Sequence, residues 1–271
     1  MAVTHFIQTI WSKKIQDDLE LKCKLVQNCL SKYEGDCDFA RTVKILGVGE
    51  PTISVYDGTT PLTYPKMTDK GQDLVIDQGR SFSFLVDDID QAQSVPGLKE
   101  EYIRKSTHGL AVARDTYVAN LIKGVKAAHV TTAAALTMEA VKEAIDDAIV
   151  ALRERNFDED GVIEISPAVY NVFKNCLITL STDNPEYIKK GKVGVYDGFD
   201  VIMSNNLAKD SGHVYCDIRG QKAIAFAGQI NKVEAQRSRD FFADELRGLD
   251  TFGAKVIDEN RIQVIKVPLA S

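Results

Sequence analysis

Apolar residues recur at three- and four-residue intervals through the first thirty positions. Ile7, Trp11, Ile15 and Leu19, then Leu25, Val26, Cys29 and Leu30, are separated mainly by polar residues, with Lys and Asp prominent. This spacing predicts helix, continuous or broken, closed by the loop Tyr33-Glu34-Gly35-Asp36. Its one-sided stripe needs a partner surface, which a terminal helix can find on another chain. From Thr42 the period changes to two, with Val43 and Ile45, then Ile53 and Val55, then Leu74 and Ile76, then Phe82, Phe84 and Val86. Between the second and third pairs lies Asp57–Gly71, rich in turn residues and poor in core residues. A loop of that length inside a compact domain is uncommon and usually functional. Residues 43–86 therefore read as an extended, strand-rich excursion with little core of its own.

A helix is predicted from about Gly97 to Lys123, with Leu98, Tyr102, Ile103, Leu110, Ala113, Tyr117 and Leu121 as its stripe. Pro96 stands at or before its start and Gly124 at its end. The small, polar run Ala127–Thr137 is the candidate domain junction. Another helix follows from the N-cap Thr137, burying Val141, Ile145, Ala148, Ile149 and Leu152. Val162, Ile163 and Ile165 make a strand. Ser166-Pro167 opens a short helix through Leu177, and Asn184-Pro185 repeats the same start signal. Asp197-Gly198 is a hairpin signal between Val193–Tyr196 and Phe199–Met203. After Cys216 the chain reads as strands: Ala223–Phe226, Val233–Arg237, Ala254–Ile257 and Ile262–Val267. The class is α+β, without sustained βαβ alternation and without an internal repeat.

Composition narrows the function. The 271 residues carry 33 Lys+Arg against 39 Asp+Glu, a net charge of -6. A dedicated nucleic-acid binder draws its affinity from a basic excess, and this chain has the opposite sign. Five cysteines with no CxxC spacing argue for unpaired thiols in a reducing compartment. Met1–Ser12 has its lysines after the apolar stretch, the reverse of a signal peptide. No run reaches the roughly 20 apolar residues that span a bilayer. No phosphate loop, GxSxG elbow or HExxH is present, and Gly47-Val48-Gly49 reads as a turn. The remaining chemical candidate is Asp87, Asp88 and Asp90: either a divalent-cation site or helix-capping carboxylates where strand hands over to helix, the cap being preferred.

Four stretches carry a family resemblance. Leu74–Gln93, with Ile76-Asp77-Gln78, the paired Phe82 and Phe84, and Val86-Asp87-Asp88-Ile89-Asp90-Gln91-Ala92-Gln93, resembles tailed-phage major capsid proteins of the Hong Kong 97-type fold. There it leads from an extended loop into a long spine helix. Ile10-Trp11-Ser12 with Leu25-Val26 is similar to that family's N-terminal arm. Gly198–Leu207 resembles its G-F-D-V-x-x-S-N-N-L strand, and Gly248-Leu249 with Phe252–Val256 its closing strand.

The resemblance implies an arm (1–41), an extended β loop (42–86), a spine helix of a peripheral domain (87–127), an axial domain (128–220), and strands returning to the peripheral and then the axial domain (221–271). It implies a coat subunit without enzymatic activity or cofactor, forming pentamers and hexamers around double-stranded DNA in a virion assembled in the bacterial host cytoplasm. Arm and loop would reach over neighbouring subunits. Subunit-interface residues are therefore expected at Trp11, Ile15 and Leu19 on the arm, and at Tyr56, Asp57, Leu62, Tyr64, Lys66 and Lys70 on the loop. Further partners implied are a portal and a decoration protein, with no membrane. Because the arm pattern starts within a few residues of Met1, a separate scaffolding protein and an uncleaved coat are expected. The competing readings are an encapsulin-like nanocompartment shell and a divalent-metal enzyme using Asp87, Asp88 and Asp90.

Overall fold

A computed structural model of the chain describes residues 19, 23–32, 42–45, 71–87, 98–180, 188–189, 192–239 and 241–269. The expected helix before Leu19, the strand pair at Ile53 and Val55, the loop 57–70 and the start signal at Asn184-Pro185 lie outside these residues.

Three helices are described: α1 (Leu98–Lys123), α2 (Met138–Arg153) and α3 (Pro167–Leu180). The first half of the strands are β1 (Thr42–Ile45), β2 (Gln72–Val75), β3 (Gln78–Asp87), β4 (Val130–Thr132), β5 (Gly161–Ile165), β6 (Ile188–Lys189) and β7 (Lys192–Val193). The second half are β8 (Val195–Tyr196), β9 (Phe199–Met203), β10 (Lys209–Asp210), β11 (His213–Gly220), β12 (Ile224–Arg237), β13 (Ala243–Val256) and β14 (Ile262–Pro268).

The spine-like helix α1 has the expected length, about 40 Å at 1.5 Å per residue. Its buried positions run Ile103, Thr107, Leu110, Ala111, Arg114, Asp115, Val118, Ala119 and Ile122, a stripe at helical spacing that includes two charged residues. In α2 the expected face is buried, joined by Ala144. Thr137 is its N-cap by backbone geometry, without a side-chain cap bond. Ser166 does cap α3: its Oγ accepts from the Val169 N–H at 3.4 Å, and Pro167 fills the first helical position.

A mixed seven-stranded sheet runs β4-β14-β11-β5-β9-β8, with β10 also paired to β11. The pairs β5/β9 and β14/β4 are parallel and the rest antiparallel. The β8–β9 turn needs φ > 0 at both centres, and Asp197 (49°) and Gly198 (87°) supply it. A second, three-stranded sheet runs β12-β13-β3, and β1 pairs antiparallel with β2. The main core joins α1, α2 and α3 to both large sheets through residues such as Val118, Ile145, Phe173, Ile218, Phe226 and Phe252.

Two expectations are corrected. Residues 23–30 are not a continuation of the N-terminal helix. The Cys23 N–H bonds Leu19 O at 3.1 Å, but the following groups go elsewhere: Val26–Asn28 is a single 3-10 turn, and Leu30 bridges Ala225. The physical reason is that side chains from α1 and β11 take the backbone groups a helix would pair internally. Within the run Ala127–Thr137, β4 adds parallel to β14. The separate strands expected at Ala223–Phe226 and Val233–Arg237 are one strand, β12, held continuous by β13 across a register shift between Ile230 and Lys232.

Candidate functional site

Strands β1 and β2, at the base of the excursion, pack on their own subunit. Val43, Ile45 and Leu74 are buried against Ala225 and Ala227, with Ile76 and Ile257 beside them. The Gln72 Nε2 donates to Ile257 O at 3.0 Å, and Lys255 Nζ to Asp73 O at 3.1 Å. Gly253 permits the crossing: a Cβ there would stand 2.2 Å from the Val75 carbonyl oxygen. Register Ile45↔Gln72 brings the two ends of residues 46–71 together, so that segment leaves and returns at one point.

Beyond that base, β12 and β13 form the longest strand pair among the described residues. Each strand has 14 residues, about 45 Å at 3.3 Å per residue. Its inner end lies in the main core at Phe226 and Phe252, and its middle rests Val233 and Leu246 near Ile103 and Leu110 of α1. The far end turns over with a Ser238 N–H bond to Ala243 O at 2.9 Å. There Phe241 is 65% and Phe242 82% exposed. Burying a phenylalanine contributes about 1.5–3 kcal/mol, so two adjacent exposed rings are an unused association energy. Cross-strand ion pairs, Arg237 with Asp244 and Arg247 with Glu234, keep the hairpin stiff and polar below the tip.

The residues that set the N-terminal segment are buried and charged. Asp115 of α1 accepts from the N–H groups of Lys24 (3.0 Å), Leu25 (3.1 Å) and Val26 (3.3 Å), and from Asn206 Nδ2 (3.1 Å). From β11, Arg219 donates to Leu25 O (2.9 Å), Asn28 O (3.1 Å) and Glu164 Oε1 (2.8 Å). Glu164, Asp217 and Arg219 are fully buried. Burial, and then the neighbouring Glu164 carboxylate, push the Asp217 carboxyl well above the usual range. Arg114 forms a second buried pair, bidentate to Asp250, with its guanidinium over Phe226 and Phe252.

Of the residues expected at a subunit interface, only Leu19 is described. It is buried in its own chain beside Cys23, Ile103, Leu110 and Ala111, so this end of the N-terminal apolar stripe finds its partner on α1. Trp11, Ile15, Tyr56, Asp57, Leu62, Tyr64, Lys66 and Lys70 lie outside the described residues, as do Asp88 and Asp90. Asp87 is the last ladder residue of β3, opposite Ala243. Among the described residues no cluster of three His, Cys, Asp or Glu could hold a metal ion. Cys23, Cys29, Cys176 and Cys216 are buried and not in disulfides among the described residues, with burial pushing Cys216 up to about 12. No described helix is long and apolar enough to cross a membrane.

The hairpin tip and the buried charges were both missed in the sequence. Phe241-Phe242 beside Arg239 and Asp240 carried a signal, an apolar pair inside a polar turn. Glu164 between Ile163 and Ile165, and Asp217 and Arg219 around Ile218, carried another: charges within an apolar strand run.

Comparison with known proteins gives a consistent picture. A family model described as phage capsid protein matches residues 71–266. A solved chain from Mycobacterium phage Che8 is 26% identical, with a TM-score of 0.74 and 90% of each chain covered. The capsid structure of the cyanophage P-SCSP1u is 16% identical, at TM-score 0.68, covering 90% of this chain and 86% of that one. The holo-SrpI encapsulin complex of Synechococcus elongatus PCC 7942 is 12% identical, at TM-score 0.62, covering 86% and 84%. A search of curated proteins returned no match. With the family model spanning most of the chain and this architecture beneath it, the chain belongs to the phage capsid protein family and is a major capsid protein of the Hong Kong 97-type fold.

Proposed function

We propose that this shell protein assembles into pentamers and hexamers that close into an icosahedral head around double-stranded DNA, without enzymatic activity. The observation that carries the reading is the family match over residues 71–266. Two features of the subunit support it. The segment 46–71 departs from one anchored point, and the long hairpin ends in exposed Phe241 and Phe242. Both are surfaces for a second copy. Residues 1–41 and 42–86 serve as arm and extended loop, 87–127 as the spine region, and 128–220 as the axial domain. Residues 221–271 return through the three-stranded sheet and end in the seven-stranded one. Trp11 and Ile15 on the arm, and Tyr56, Asp57, Leu62, Tyr64, Lys66 and Lys70 on the loop, contact neighbouring subunits. The partners of the shell are the enclosed DNA, a scaffolding protein, a portal and a decoration protein, and assembly takes place in the host cytoplasm.

The net charge of -6 suits a wall that encloses DNA without gripping its sequence. The likeness to the holo-SrpI encapsulin complex favours one second reading, a nanocompartment of the same fold. Electron microscopy of particles purified from their natural source, with analysis of their contents, separates the two. Closed shells filled with double-stranded DNA are expected. Shells filled with a single cargo protein would transfer the assignment to the nanocompartment.

A further inference from the structure

Glu164 and Asp217 are directly opposite residues on the antiparallel pair β5/β11, and both are fully buried. Like charges in that arrangement repel, and burial removes the water that would screen them. Arg219, two residues along the same face of β11, is the one cation against them among the described residues. The trio therefore carries one negative charge too many if both acids are ionised. Its hydrogen bonds are also incomplete. Glu164 Oε1 accepts from Asn28 Nδ2 and Arg219 at 2.8 Å each, and Asp217 Oδ2 is 3.0 Å from Arg219 Nε as an ion contact. Glu164 Oε2 and both Asp217 oxygens lack a hydrogen-bond donor among the described residues. Two facing carboxyls with idle acceptors become complementary when one of them carries a proton.

The lid on this trio is the N-terminal segment. Leu25 O, Asn28 O and Cys29 Sγ complete the Arg219 donors, and Asp115 holds the other side of the same turn. Among the described residues the remaining neighbours of Asp217 add no counter-charge: Val264 of β14 stands opposite it, Cys29 lies on the segment, and Cys216 is on the other face of β11. We propose that a proton held by Asp217 against the facing Glu164 lets residues 24–30 seal over Arg219, so that the docking of the N-terminal segment is a proton-dependent latch. The device works within one subunit and is independent of the shell reading.

The sign follows from where the proton is held more tightly. In the sealed form burial and the facing Glu164 raise Asp217 above its ordinary value, and access of water removes the burial that raises it. The sealed form thus binds more proton. Its stability is fully present below the ordinary carboxyl range and is lost as pH rises toward the raised value. The opening constant increases by at most about tenfold per pH unit for one proton.

The test is amide hydrogen exchange on the full-length chain between about pH 5 and 9, corrected for intrinsic chemical rates. It compares wild type with Asp217→Asn, whose side-chain N–H stands in for the proton and does not titrate. Extra opening at Leu25, Val26 and Leu30 with rising pH, absent in the variant, is the expected result. Identical pH profiles in the two proteins would overturn the latch. If the variant does not fold, infrared spectroscopy of wild type decides. A protonated-carboxyl band at neutral pH that disappears on alkalinisation supports the proposal, and its absence at neutral pH refutes it.

Discussion

Two buried carboxylates show how much of this subunit rests on single charged groups. Asp250 and Arg114 are bonded bidentately with almost no solvent contact. Removing one partner leaves a bare charge in the core, which costs about 3–5 kcal/mol. Asp250→Ala should therefore lower the denaturation midpoint sharply, whereas exposed-pair variants such as Glu101→Ala should shift it by less than about 1 kcal/mol. Chemical denaturation with constant m-value is the check. Asp115→Ala leaves three backbone N–H groups without their acceptor. It should cost about 1.5–3 kcal/mol, with the amides of Lys24, Leu25 and Val26 losing protection first. A uniform loss of protection across the chain would show that Asp115 supports the core and not this segment. None of these roles was legible in the sequence. A charge at helical spacing looks solvated until the element packed over it is known, and both partners of Arg114 and Asp115 lie about ninety or more residues away.

The elements themselves were largely legible, because each rests on local chemistry. Helix α1 follows its apolar period within a residue of the expected ends. Helix α3 follows Ser166-Pro167, and the β8–β9 hairpin follows Asp197-Gly198. The misreadings share one cause, contact with distant chain. Residues 23–30 kept helical spacing but lost helix geometry to Asp115 and Arg219, and β12 ran through residues 227–232 because β13 pairs with it throughout. At this scale the excursion base offers a clean test. Gly253→Ala places a methyl group on the Val75 carbonyl, so β2 must shift. The expected outcome is a loss of about 1–3 kcal/mol together with increased exchange in β1 and β2. Replacing residues 57–70 with a short Gly/Ser turn, in contrast, should leave the circular dichroism spectrum and melting temperature nearly unchanged. Loop length carries only a slow entropic penalty, and the segment's two ends already meet. The loss should appear only in assembly, and a normal particle yield would contradict this role for the loop.

For the whole molecule, the fold is that of a shell subunit, and Phe241 and Phe242 are its most exposed large apolar side chains among the described residues. The tip at Phe241 and Phe242 is far from the cores that hold the hairpin's other end. Phe241→Ser with Phe242→Ser should therefore change unfolding free energy by no more than about 0.5 kcal/mol, as expected of exposed positions. It should nevertheless weaken association between subunits, measured as a higher concentration for assembly. A destabilised but normally assembling variant would show that the rings belong to the fold and not to an interface. The most direct test of the central claim is sedimentation velocity of the purified full-length chain over a wide concentration range at neutral pH. Multi-subunit capsomers or closed shells are the predicted species. A single sharp boundary at the 29.9 kDa monomer at every concentration would contradict it.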